Sequence, residues 1–91
     1  MYKPEIKYIT YIDALGNKNG ILFPEITTHV RVANKLMIKD NIIGAGFADI
    51  GQDAFGEIVI DCHSKSVSLD IASHEEDGHL LSKLFFGNSN I

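Results

Sequence analysis

At 91 residues the chain has room for one domain with a small core. Apolar residues make up 45% and charged residues 22%, which argues against disorder, and a single cysteine excludes an internal disulfide. The net charge of −4, without clustered Lys and Arg, argues against a nucleic-acid partner. No apolar run is long enough to cross a bilayer, so a cytoplasmic protein with no membrane partner is expected.

The charge is unevenly spread. Residues 1–39 hold six basic and three acidic side chains, whereas residues 40–91 hold two basic and nine acidic ones. The split favours head-to-tail contact with a second copy unless folding interleaves the two halves.

Ile6 to Ile12 is rich in β-branched and aromatic residues and reads as a strand. Both its faces are partly apolar, as in an inner strand or an outer one with a partner. Gly16 to Gly20 is a turn cluster, Ile21-Leu22-Phe23 returns as a short strand, and Pro24 stops it. A helix is expected over Ile26 to Met37, capped by Thr27 or Thr28. Its apolar side groups Ile26, Val30, Ala33 and Met37, with His29 and Leu36 at the flank.

Ile42 to Ile50 reads as a strand with unequal faces. Gly44, Gly46 and Ala48 leave one face almost bare, which points to close approach of a backbone, helix or ligand. A loop from Gly51 to Gly56 follows. Glu57 to Cys62 and Val67 to Ile71 both alternate, and a hairpin around His63 to Ser66 would put Ile58, Ile60, Cys62, Val67, Leu69 and Ile71 on one face.

Ser73 and Glu76 have capping-box spacing at the start of a second helix. Leu80, Leu81, Leu84 and Phe85 form its apolar side, and Gly87 fits its left-handed end. Gly78 costs about 1 kcal/mol relative to alanine, a cost that close packing against the sheet would explain. The expected fold is therefore a single α+β domain over residues 1–91, in the order β-β-α-β-β-β-α. It has a mainly antiparallel sheet of about five strands and two helices on one face.

Chemistry-bearing patterns are thin. Gly44 to Asp49 begins like a dinucleotide fingerprint but has Asp49 where Gly or Ala is needed. Asp61, His63, Ser66 and Ser68 share a face of the proposed hairpin and have the residue types of a hydrolase, but without a nucleophile elbow. Glu75 and His79 lie one turn apart without a second paired ligand, so no metal and no cofactor are expected. Cys62 reads as a core thiol.

No catalytic residue is assigned. The expected function is that of a small non-enzymatic interaction protein, a homodimer that acts by binding another macromolecule such as a protein, with Tyr8, Tyr11 and Phe86 at its interface. The alternative is a small-ligand-binding protein or minor hydrolase, with a cleft formed by His29, Gly44 and Gly46.

Overall fold

A computed structural model describes residues 5–87. Strands β1 (Ile6–Ile12), β2 (Lys18–Pro24), β3 (Ile42–Gln52) and β4 (Ile58–His63) form one antiparallel sheet in the order β2-β1-β3-β4. A second, two-stranded sheet pairs β5 (Lys65–Ser66) with β6 (Ile71–Ala72). Helices α1 (His29–Leu36) and α2 (Glu75–Phe86) complete the chain, with a 3-10 turn at Lys39–Asn41. The α+β class and the antiparallel sheet agree with the sequence. The sheet has four strands rather than about five, with two short strands set apart.

The hairpin between Glu57–Cys62 and Val67–Ile71 does not form. β4 pairs instead with β3, with Asp49 opposite Asp61 and Ile50 opposite Ile60. Ser64 takes a positive φ of 65° and turns the chain out of β4. Asp70, at φ 57°, then returns it through β5 and β6. Val67 consequently lies in the open at 83% exposure. Alternation fixed which side chains share a face of each strand, but two alternating segments can satisfy that pattern with other partners.

The helices lie on opposite faces of the sheet, not on one. Ile9 of β1 packs with Ala33 of α1, Phe23, Ile38 and Ala45. Its neighbour Tyr8 packs with Leu81 of α2, Ala48 and Ile60. Adjacent strand residues point to opposite faces, so β1 is buried from both sides. This is why both of its faces are apolar.

Thr28 caps α1, its hydroxyl accepting from the Arg31 N–H at 3.2 Å. The helix ends at Met37, which adopts a left-handed conformation (φ 59°). There the Ile38 N–H bonds the Ala33 carbonyl at 3.0 Å and the Met37 N–H bonds the Asn34 carbonyl at 3.2 Å. This closing pattern brings Ile38 into the core beside Ala33. Ile26 and Met37 fall outside the helix and are exposed, contrary to the expected face; Ala33 is buried as expected, and His29 from the flank is buried with it.

α2 sits against the two outer strands, β4 and β2. An unpaired Ile43 shifts the β1–β3 register between Thr10 and Tyr11 and adds twist. The cap falls one residue later than the Ser73 signal, on His74, whose backbone N–H donates to the Asp77 carboxylate at 3.0 Å. Leu81 is buried and Gly87 closes the helix at φ 64°, as its sequence indicates. Leu84 and Phe85 remain partly exposed in the last turn.

Gly78 lies directly on the Ile60 carbonyl, where a Cβ would collide with fixed backbone. In an exposed helix, Gly→Ala stabilises by about 1 kcal/mol. Here Gly78→Ala is expected to destabilise by about 1–3 kcal/mol, because the helix must move off β4. Urea unfolding of the two proteins measures the difference and its sign.

Candidate functional site

Two buried polar clusters and one projecting arm stand out. The first cluster lies under the N-terminus of α2. Asp77, only 3% exposed, accepts a hydrogen bond from the Tyr8 hydroxyl at 2.5 Å and a longer one from Thr10 Oγ1 at 3.4 Å. It also accepts the His74 N–H, so its two oxygens hold three donors. The bare face of β3 makes room for this carboxylate: a side chain at Gly44 would collide with it. Gly46 admits the chain where it leaves β4, a Cβ there falling 2.6 Å from the His63 carbonyl. The close approach read from Gly44 and Gly46 is thus that of a helix side chain and a backbone.

Burial, reinforced by the hydrogen bond to Asp77, holds the Tyr8 hydroxyl well above the usual phenol range. Burial also pushes the Cys62 thiol up to about 12, and Cys62 packs beside Tyr8 in the core. A thiol held protonated in this way is a poor nucleophile. Tyr8 is fully enclosed by its own chain, so it offers no surface to a partner, contrary to the interface reading. Tyr11 is half-buried against the α1-side core, whereas Phe86 stays 43% exposed at the end of α2.

The second cluster centres on His29, the first residue of α1. Its ring lies edge-on to Phe23 (centroids 5.3 Å apart) and Phe47 (6.0 Å). Nε2 donates to the Gly46 carbonyl at 2.8 Å, which fixes the proton on that nitrogen. The β3–β4 ladder ends at Phe47 and His63, and His29 bonds the Gly46 carbonyl just beyond that end. A cleft of about 310 Å³ opens here, and His29 lines it together with Lys7, Thr28, Phe47, Lys65, Val67 and Ser68. Neither glycine lines this cleft: the open side of Gly44 faces Asp77 of α2, and that of Gly46 faces the backbone of His63 and Ser64. His29 is 3% exposed and committed to Gly46, so its role in this arrangement is to clamp α1 to the end of the sheet.

The hydrolase-type residues are dispersed. Asp61 lies opposite Asp49, and Ser66 opposite Ile71. Ser68 accepts from the Val30 N–H at 3.2 Å, tying the β5–β6 turn to α1. His63 does contact a hydroxyl and a carboxylate, but they are Ser64 Oγ at 2.8 Å and Asp49 at 3.2 Å. These groups sit in water, where an exposed pair adds little. Among the described residues no group of three or more His, Cys, Asp or Glu side chains is arranged to hold a metal ion.

The arm is the feature that sequence periodicity missed. Among the described residues β1 pairs with β3 only as far as Ala48, and Asp49–Gln52 with their partners Ile58–Asp61 run on as a two-stranded projection. Its tip is a built turn. Asp53 Oδ1 accepts the N–H groups of Phe55 (2.8 Å) and Glu57 (3.0 Å), and Gly56 takes φ 81°. The same turn joins β1 to β2, where Asp13 Oδ1 accepts from Leu15 and Asn17 and Gly16 takes φ 85°. The signal lay in a repeated Asp-Ala-x-Gly, at residues 13–16 and 53–56. Each turn holds a large apolar residue outward, Leu15 in one and Phe55, 90% exposed, in the other.

Burial lowers the His29 pKa, with the Gly46 carbonyl opposing the shift and Lys7 adding to it. The unfolded chain therefore binds this proton at a higher pH than the folded one, and stability falls as pH drops below the unfolded value. Urea midpoints compared at about pH 7.5 and about pH 5.5 should show a loss in acid that shrinks in His29→Gln. An equal loss in both proteins would contradict a buried neutral imidazole.

No known family model matches the chain, and no curated protein or solved structure matches it.

Proposed function

We propose that the chain is a small non-enzymatic interaction module of the cytoplasm, which self-associates and acts by binding another protein. The observation that carries this reading is the β3–β4 arm. A large aromatic at 90% exposure is costly to keep in water. It is held outward by a turn in which one aspartate satisfies two backbone donors, so the backbone that presents it is held in shape. Pre-organised aromatic anchors of this kind lose little entropy on docking. The polar clusters support the reading from the other side, because their reactive groups are buried and occupied by structural bonds. The arm carries Asp49, Asp53, Glu57 and Asp61 and no basic residue, which favours a protein partner over nucleic acid. Among the described residues no helix is long and apolar enough to cross a membrane.

Light scattering across a concentration series tests the reading. The mass of the wild-type chain should rise above that of one copy within tens of micromolar, and Phe55→Ser should weaken the association by at least about tenfold. A wild-type chain that stays monomeric over that range, or a Phe55→Ser chain that associates equally well, would contradict it.

A further inference from the structure

In the order β2-β1-β3-β4, the β2 edge with α1 carries the basic pair Arg31 and Lys35 and the β4 edge carries the acidic arm, while α2 spans from β4 back to β2. At the β2 edge, Ile21, Val32 and Leu36 line an apolar groove of about 210 Å³ between β2 and α1. Arg31 and Lys35, one helical turn apart, rim it. Neither is in an ion pair among the described residues. At the other edge the arm presents Phe55 between Asp53 and Glu57, whose backbones are joined at 3.0 Å.

We propose that the β2–α1 groove of a second copy of this chain receives the Phe55 ring, with Arg31 and Lys35 meeting Asp53 and Glu57. This rests on the arm being the contact element. An apolar cavity of about 150 Å³ accepts a benzene ring, so the groove is large enough for one phenyl group. Two acids flanking an aromatic meet two bases flanking an apolar slot, so shape and charge match together. The contact must be between copies, because the arm springs from the edge opposite the groove and its turn is hydrogen-bonded into shape. Tip and groove are different surfaces, so the contact either forms twice about a two-fold axis in a dimer or repeats head-to-tail in a ring or chain.

A charge exchange separates this inference from the broader reading. Lys35→Glu and Glu57→Lys are both at exposed positions, and each alone should weaken self-association by at least about threefold at low salt. Combined in one chain they restore opposite charges across the contact, and association should recover toward wild type. Raised salt should weaken the wild-type assembly, because the paired charges are at the rim. If Phe55→Ser abolishes association but neither charge variant alters it, the arm is the contact element and the β2–α1 groove is not its receiver. If both single variants weaken association and the double variant fails to recover, those two side chains do not meet and the proposed pairing is wrong.

Discussion

The buried carboxylate of Asp77 is the constraint on which the rest of the structure depends. An acidic group enclosed between a sheet and a helix is tolerated only with its hydrogen bonds complete. Tyr8, Thr10 and the backbone of His74 complete them, and each comes from a different point of the interface. The requirement sets the height and rotation of α2 over β1. Gly44 must then lack a side chain, and Gly78, the next residue on the helix, must lie against the Ile60 carbonyl. Leu81, one turn beyond Asp77, reaches the space above Gly20. Three glycines from three segments thus serve one packing arrangement.

The other face obeys a milder version of the same rule. β4 stops at His63, opposite Phe47, and His29 reaches from α1 to the adjacent Gly46 carbonyl. Phe23 and Phe47 close around that imidazole and keep water away. Burial keeps the ring neutral, with its proton on the nitrogen that faces the carbonyl. Both titratable clusters therefore act as fasteners that hold a helix to the sheet. What remains free for recognition lies outside them, on the arm, the groove and the last turn of α2.

Much of this was legible in the sequence. The strand Ile6–Ile12, the Thr28 cap, the end of α2 at Gly87 and the close approach at Gly44, Gly46 and Gly78 follow from local rules of backbone and packing. Those rules act over a few residues, and they hold. Choices between partners were not legible. Ile58 and Ile60 alternate in a way that suits pairing with Val67–Ile71 as well as with β3, and the left-handed Ser64 decides against the first. The side of the sheet taken by each helix was equally hidden, because β1 is apolar on both faces. Asp77 reads as an exposed residue of a helix's first turn, where its charge suits the dipole. Only the hollow above Gly44 shows that it points inward.

The central claim is that Asp77 and Tyr8 form one energetic unit joining α2 to the sheet. A double-mutant cycle of Tyr8→Phe and Asp77→Ala, followed by urea unfolding, measures this directly. A coupling energy of at least about 1 kcal/mol is predicted, since neighbouring buried partners are non-additive. Effects that add to within about 0.3 kcal/mol would show that the two side chains contribute independently, and the account of how α2 is positioned would be wrong.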